Sequence, residues 1–194
     1  MSEKKIILIF GKRGSGKSYL AKNLIQTERR LFIYDTIGEY NNGVVFTELD
    51  ELLRFWRRIC RDRFRLIYQP ADPSADFDRA AELLYLLGNV TLVVEELDIY
   101  CQPLSISRPL ANVVQRGRHR NITFIGITQR PFGIHRLLTS QAKEIYIFRT
   151  NEPRDRQYLC DLLGQEVEAK LDQLKEYEYV KWTDPEGLQI DKAK

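Results

Sequence analysis

A short segment near the amino terminus combines three glycines with a lysine and a serine at a spacing that suits phosphate binding. The segment GKRGSGKS spans residues 11–18 and follows the apolar run IILIF. It is the full G-x-x-x-x-G-K-[ST] pattern, lying as required between a predicted strand and a predicted helix. Glycines let the backbone approach a phosphate chain closely, and the amides and dipole of a helix start favour an anion. The alternative is a glycine-rich turn that happens to contain Lys-Ser.

Two side chains of this segment have specific roles in the predicted site. Lys17 is expected to reach the β- and γ-phosphates of a nucleotide, and Ser18 to ligate Mg²⁺ through its hydroxyl. The predicted nucleotide-binding residues are Gly11, Lys12, Arg13, Gly14, Ser15, Gly16, Lys17, Ser18 and Tyr19.

A second segment, TLVVEE, places two adjacent carboxylates after an apolar run. Burying an unpaired charge is costly, so Glu95 and Glu96 need a partner. Ligands of open α/β sheets bind at the carboxyl ends of the strands, where the Mg²⁺ of a bound nucleotide would lie. We predict that Glu95 holds Mg²⁺ through a water and that Glu96 orients or deprotonates the attacking water. The alternative is a strand followed by a solvated acidic helix start.

Two further apolar runs end in polar side chains. FIGITQRP places Gln129 at a strand end, where it can donate to a γ-phosphate and accept from the attacking water. It could then sense whether the phosphate is present. The alternative is that QRPFG is only a turn. FIYDTIGEY places Asp35 at a strand end. For Asp35 two roles remain open, an indirect contact to Mg²⁺ through one of its ligands or the capping of a loop.

Strand-like and helix-like segments alternate along most of the chain. Strands are predicted at 6–10, 31–35, 64–69, 89–94, 121–128 and 144–150; helices at 19–26, 48–60, 77–87, 108–117 and 133–142; and two late helices on either side of Gly164. Such alternation predicts a mainly parallel sheet with helices on both faces. Residues 176–190 read as a β-hairpin, and we expect residues 1–194 to form a single α/β domain.

Composition excludes several other classes of protein. The chain has 194 residues, 43% of them apolar and 29% charged, with a net charge of +3. Its three cysteines match no zinc spacing, and its two histidines make a His-based metal site improbable. No apolar run approaches the ~20 residues that span a bilayer, and no signal peptide is recognisable. We expect a cytoplasmic protein without direct membrane insertion.

Taken together, the motifs resemble the HerA/FtsK superfamily of DNA-pumping ATPases. The resemblance covers residues 5–165 and is carried by the phosphate loop, LVVEE, YDTIGEY, GRHRNITFIGITQRP and EIYIFRTNEPRD. It implies a RecA-like (ASCE) P-loop fold, ATP and Mg²⁺ as ligands, a homo-oligomeric ring of five or six subunits, and double-stranded DNA as partner. No base-reading motif is visible, which suits DNA binding without sequence preference.

The departures from the superfamily narrow the resemblance. The phosphate loop starts at residue 11, so we do not expect the amino-terminal barrel of HerA. We also expect no membrane segment and no space for the carboxyl-terminal winged helix of FtsK. The chain is most similar to the minimal genome-packaging ATPases of tailless, membrane-containing double-stranded DNA viruses. That likeness implies capsid or portal proteins as partners, and a place in the host cytoplasm or on the virion.

Arginines are the expected source of an inter-subunit contact. Rings of this group use an arginine of one subunit on the neighbour's γ-phosphate, and by resemblance Arg118 is the first candidate and Arg149 the second, followed by Arg116 and Arg120. The alternative is a solvated or DNA-facing basic patch. A second basic helix face could contact DNA phosphates or be solvated; it contains Arg54, Arg57, Arg58 and Arg61.

Other functions remain open at this point. They are a HerA-like DNA-processing or conjugative DNA-pumping subunit, a non-translocating assembly ATPase of the kind that extrudes filamentous phage, and a small-molecule or nucleotide kinase. The acidic strand tip and Gln129 favour water over another phosphoryl acceptor.

Overall fold

A nine-stranded sheet forms the centre of the computed structural model, which describes residues 4–193. The strands are β1 (Ile6–Phe10), β2 (Arg30–Tyr34), β3 (Val44–Phe46), β4 (Phe64–Tyr68), β5 (Val90–Val94), β6 (Cys101–Gln102), β7 (Ser105–Ile106), β8 (Ile122–Thr128), β9 (Glu144–Phe148), β10 (Glu178–Thr183) and β11 (Gly187–Lys192). The helices are α1 (Lys17–Leu24), α2 (Leu49–Ile59), α3 (Phe77–Leu87), α4 (Arg108–Arg116), α5 (Arg136–Gln141), α6 (Pro153–Leu163) and α7 (Glu166–Gln173).

The strand order places the segments of the predicted site side by side. The order is β11-β10-β9-β1-β8-β5-β2-β4-β3, and all neighbours from β9 to β3 are parallel. Strand β8, which leads to Gln129, therefore lies between β1, which leads to the phosphate loop, and β5, which leads to Glu95. The antiparallel strands β10 and β11 extend one edge and confirm the predicted hairpin. The predicted mainly parallel α/β sheet is confirmed.

The two faces of the sheet are covered unequally. One core cluster draws buried residues from α2 to α7, among them Leu52, Leu84 and Leu110. The second cluster takes helical residues from α1, through Leu20 and Ala21, and packs them on strand residues of the other face. Helices therefore lie on both faces as predicted, but α1 is the helix that covers the second one. None of the helices in the described part of the chain has the length and apolar character needed to cross a membrane.

The elements that differ from the sequence prediction are short or lie at element ends. Strand β3 was not predicted; its valines are exposed at the edge of the sheet, so they lack a buried pattern. The separate antiparallel pair of β6 and β7 was also not predicted. Helix α5 begins at Arg136 rather than at residue 133, because the His135 ring accepts a hydrogen bond from the Leu137 amide (3.1 Å) and caps the helix there.

Candidate active site

The carboxyl ends of three neighbouring parallel strands enclose one large cavity. Strands β1 and β8 pair in register, with Phe10 opposite Thr128, so the segments that follow them leave the sheet together. The cavity has a volume of about 600 Å³. It is lined by Arg13, Gly14, Gly16, Lys17, Ser18, Tyr19, Ile37, Glu39, Glu95, Glu96, Ile127, Thr128, Gln129 and Tyr177. Residues predicted from three separate motifs therefore share one site.

The phosphate loop folds tightly between β1 and α1. A Cβ added to Gly11 would lie 2.6 Å from the Phe148 Cβ, so glycine is required for this close approach. The Lys17 ammonium donates to the Lys12 carbonyl at 3.0 Å, which holds the lysine across the loop. Burial lowers the pKa of Lys17, and the charge of Glu95 opposes that change. The loop thus holds a partly buried cation next to a buried carboxylate.

The remaining loop residues divide between two cavities. Arg13, Gly14, Gly16, Ser18 and Tyr19 line the large cavity. A second cavity of about 370 Å³ lies on the other side of the loop; it is lined by Lys12, Arg13, Gly14, Ser15, Phe148, Arg149, Lys175, Glu176, Tyr177 and Glu178. The Ser15 hydroxyl is buried against Gly11 and has no hydrogen-bond partner among residues 4–193.

Glu95 is a buried carboxylate with two hydroxyl partners. Its side chain is 2% exposed, and the Tyr40 hydroxyl donates to its Oε1 at 2.7 Å. Burial raises the pKa of Glu95 to about 7, whereas the hydrogen bonds of Tyr40 and Ser18 favour the ionised form. A carboxylate in this position is stabilised by any cation that binds beside it.

The oxygens around Ser18 and Glu95 fit a hard divalent cation. Mg²⁺ prefers oxygen ligands, keeps several waters, and is usually bound by one or two protein groups together with substrate phosphates. The Ser18 hydroxyl and the Glu95 carboxylate are hydrogen-bonded to each other, so both can contribute to one such site. Within residues 4–193, no group of three or more His, Cys, Asp or Glu side chains forms a self-contained metal site. The donor set therefore suits a cation that arrives with phosphate ligands.

Glu96 leaves the strand in a different direction from Glu95. Its backbone has φ 48° and ψ 50°, a left-handed conformation that is uncommon for a residue other than glycine. The half-buried side chain lines the large cavity, and its Oε2 accepts a hydrogen bond from the Thr36 hydroxyl at 3.2 Å. The turn therefore separates two consecutive carboxylates into different surroundings.

Asp35 lies just beyond β2 and caps the loop that follows it. Its carboxylate accepts from the Glu39 amide (3.2 Å), the Tyr40 amide (3.0 Å) and the Gln69 side chain (2.8 Å). These contacts correspond to the loop-capping role that the sequence left open. Because Tyr40 also donates to Glu95, Asp35 positions a partner of the predicted metal ligand.

Gln129 follows β8 and is exposed to the large cavity. Beside it, the Thr128 hydroxyl donates to Asp98 at 2.5 Å, which ties the end of β8 to the turn after Glu96. Arg130 donates to the buried Asp155 at 2.7 Å, and Asp155 also accepts from the Phe132 amide. These contacts anchor the loop on both sides of the predicted sensor.

The candidate arginines occupy two different places. Arg149 lines the second cavity of its own chain, and its carbonyl accepts from the Lys12 amide at 3.4 Å. Arg118 is exposed in the turn Gly117–Arg120, which precedes β8 and so lies at the opposite edge of the sheet from the cavity. Arg120 donates to the Tyr85 and Leu86 carbonyls, which uses its guanidinium within the fold. The basic residues of α2 are all exposed: Arg54, Arg57, Arg58 and, just beyond it, Arg61.

Three site residues have no functional assignment from the sequence. Tyr40 belongs to the YDTIGEY segment, but nothing in its spacing indicates that its hydroxyl reaches Glu95. Thr36 contacts Glu96 across sixty positions of sequence. Tyr177, which precedes the hairpin, lies beside the phosphate loop because β10 pairs with β9.

Comparison with known proteins finds the same fold in solved structures of NTPases. No protein-family model and no curated protein matches the chain. The genome packaging NTPase B204 from Sulfolobus turreted icosahedral virus 2, solved with AMPPCP, is 21% identical, with a TM-score of 0.80 and coverage of 99% of both chains. B204 from Sulfolobus turreted icosahedral virus is 19% identical, with a TM-score of 0.78, over 99% of this chain and 98% of that one.

A more distant likeness extends to a conjugation protein. The pCW3 conjugation coupling protein TcpA, solved with ATPγS, is 13% identical, with a TM-score of 0.58, and the match covers 98% of this chain and 60% of that one. At these identities the likeness establishes the fold, and it confirms the predicted RecA-like P-loop architecture.

Proposed function

We propose that residues 1–194 form one Mg²⁺-dependent ATPase domain that moves double-stranded DNA, and that its task is to package a viral genome. One observation carries the proposal: the cavity that contains Lys17 and Ser18 is also lined by Glu96 and Gln129, side chains suited to activating water. The end-to-end likeness to a genome packaging NTPase supports the choice of task.

The phosphate loop and Glu95 bind the nucleotide in this proposal. Lys17 leaves the Lys12 carbonyl and pairs with the β- and γ-phosphates, and the loop amides surround the chain of phosphates. Ser18, and Glu95 through a water, would hold Mg²⁺, which would neutralise charge on the phosphate oxygens. Tyr40 keeps Glu95 oriented through its 2.7 Å hydrogen bond.

Glu96 and Gln129 act on the attacking water. Glu96 accepts a proton from the water as its oxygen bonds to the γ-phosphorus, and the bond from that phosphorus to the bridging oxygen breaks to release ADP. Gln129 donates to a γ-phosphate oxygen and accepts from the same water. The 3.2 Å hydrogen bond from Thr36 sets the position of Glu96 before the reaction.

Hydrolysis is completed between subunits of a homo-oligomeric ring of five or six copies. Arg118 from one subunit contacts the γ-phosphate held by the next, with Arg149 as the second candidate. The ring moves DNA without reading its sequence, works in the host cytoplasm or on the virion, and docks on capsid or portal proteins.

A conjugative DNA pump is the second candidate, favoured by the likeness to a conjugation coupling protein. Both functions require DNA-dependent ATP hydrolysis by an oligomer. They differ in the partner protein, which for packaging belongs to the capsid.

The decisive experiment measures the ATPase rate with and without double-stranded DNA, together with the oligomeric state by mass photometry. We expect stimulation by DNA of unrelated sequences and a ring of five or six subunits. Lys17→Ala is the matched control, and it should lose hydrolysis under all conditions. An enzyme that ignores DNA but phosphorylates a small acceptor would contradict the proposal.

A further inference from the structure

Tyr177 is held in an unfavourable backbone conformation immediately before β10. Its φ of 62° lies in the left-handed region, where an aromatic residue is a real outlier. The turn is held by the Lys175 amide donating to the Glu178 carboxylate at 2.8 Å and by the Ala193 amide donating to the Tyr177 carbonyl at 3.0 Å. Strain of this kind persists where surrounding contacts impose it, and it is common at ligand sites.

The turn places the Tyr177 ring next to Gly16, the residue that precedes α1. A Cβ added to Gly16 would lie 3.4 Å from the ring's Cδ1 and 3.3 Å from the Phe148 ring, so the two aromatic side chains flank this glycine. Tyr177 nevertheless remains 47% exposed. A large, rigid, half-exposed aromatic surface thus lies directly beside the phosphate loop.

Tyr177 also separates the two cavities around that loop. Both cavities share Arg13, Gly14 and Tyr177, so they adjoin at these residues. The larger one contains the lysine and carboxylates of the strand tips. The smaller one has a volume of about 370 Å³, which lies within the range of small-molecule pockets.

A nucleotide has two chemically different ends that match these two cavities. Its phosphates require the cation and amides of the larger cavity, whereas its base requires an apolar or aromatic surface at a short distance from them. Aromatic side chains stack on every base, because every base has a π-face. Of the residues lining the smaller cavity, Tyr177 and Phe148 supply aromatic rings, and Phe148 is buried.

We propose that the base of the bound nucleotide lies in the smaller cavity against the ring of Tyr177. The inference rests on the proposed function only in taking a nucleoside triphosphate as the ligand. In this proposal the strained turn at residues 175–178 serves to place the Tyr177 ring against the nucleotide, in addition to leading into the hairpin.

The test compares two ligands that differ in the base. Calorimetry with Mg²⁺ measures the affinity for AMPPCP and for inorganic tripolyphosphate, which has no base. Tyr177→Ala should weaken AMPPCP binding roughly 5- to 100-fold, the range expected for loss of one stacked base, and leave tripolyphosphate binding unchanged. Tyr177→Phe keeps the ring and should bind both ligands as the wild type does.

Tyr177→Gly separates stacking from folding. Glycine adopts the left-handed conformation without strain, so this variant should be at least as stable as Tyr177→Ala while losing the same AMPPCP affinity. The inference is overturned if AMPPCP affinity is unchanged in both variants, or if tripolyphosphate affinity falls equally, since the ring would then only support the loop. Wild-type protein that binds AMPPCP through Tyr177 but is not stimulated by DNA would leave this inference standing and overturn the proposed motor.

Discussion

The acidic end of β5 (Glu95 and Glu96) and the basic turn Gly117–Arg120 differ in how many of their charged side chains find partners within the fold. Glu95 is buried, with partners in Tyr40 and Ser18, and Glu96 accepts from Thr36. Arg118, in contrast, is exposed and makes no side-chain hydrogen bond or ion pair within residues 4–193. Strand β8 separates the two regions by its seven residues, roughly 20 Å of extended chain.

This difference indicates which groups of the proposed reaction a single subunit can orient on its own. The side chains proposed to bind nucleotide and metal are oriented by contacts within the chain, so they are preorganised before any partner binds. Arg118 makes no such contact within residues 4–193, so its guanidinium is available to the neighbouring subunit that the proposal requires. Arg120, in the same turn, marks the limit of this region because it is already engaged with the Tyr85 and Leu86 carbonyls.

The largest expected effect tests whether Arg118 acts between subunits. Arg118→Ala should lower DNA-stimulated ATP hydrolysis by roughly 10³- to 10⁵-fold, the contribution of an arginine finger. Mixing these subunits with Lys17→Ala subunits should restore activity, because one variant supplies the intact phosphate loop and the other the arginine. The measurement is the ATPase rate as a function of the mixing ratio.

The neighbouring Arg120 provides the matched control. Arg120→Ala should lower the free energy of unfolding, because two carbonyls lose their donor, while it retains most of the activity per folded molecule. If Arg118→Ala is fully active, or if mixing restores nothing, the basic turn has no role in hydrolysis. Arg149→Ala, which alters the second cavity, then becomes the variant to mix.

The second-largest expected effect tests whether Glu96 acts on the attacking water while Glu95 acts in metal binding. Glu96→Gln should lower the turnover number by roughly 10²- to 10⁴-fold, the usual contribution of a general base. Its affinity for AMPPCP should be unchanged, because Glu95 and the phosphate loop remain. Glu82→Gln, at an exposed position of α3, controls for the loss of a charge. Loss of AMPPCP binding in a folded Glu96→Gln protein would instead assign this residue to binding.

The smallest effect measures the burial of Glu95 directly. The pKa of Glu95 rises from 4.5 to about 7 on folding, so the folded state binds a proton more tightly between these values. The free energy of unfolding of the metal-free protein should therefore fall as the pH rises from 4.5 through 7, by an amount on the order of 3 kcal/mol. Urea titrations at successive pH values measure this change.

Two variants identify the group responsible for that pH dependence. Glu95→Gln should flatten the profile in this window, since no proton is bound or released there. Tyr40→Phe should extend the decline to higher pH, because the lost hydrogen bond favours the ionised carboxylate. A wild-type profile already flat between pH 4.5 and 7 would mean that Glu95 is better solvated than its 2% exposure indicates.

The sequence predicted the parallel sheet because each of its central strands is an apolar run with a polar end. Those ends, Glu95, Gln129 and the phosphate loop, had to meet once the strands were parallel neighbours. Strand β3 could not be predicted in the same way, since Val44 and Val45 are exposed and lie in a three-residue segment. Its pairing with β4 depends on the sheet already being present.

The contacts that refine the site were not predictable from spacing. The Tyr40 hydroxyl reaches Glu95 because Asp35 accepts from two amides of the intervening loop and fixes its path. Tyr177 lies beside Gly16 only because β10 adds to the sheet next to β9. Both contacts depend on how segments distant in sequence pack in the fold, whereas a sequence motif contains only residues that are close together in sequence.

Helix α1 links the proposed nucleotide site to the second core cluster, because the same helix takes part in both. Helix α1 begins at Lys17, at the end of the phosphate loop, and it also shields the second core cluster through Leu20 and Ala21. A ligand that fixes the first turn of α1 therefore fixes the cover of that cluster as well. Amide hydrogens of β1 and β8 beneath it should exchange with deuterium more slowly as the site fills, so exchange in the core would report occupancy at the surface.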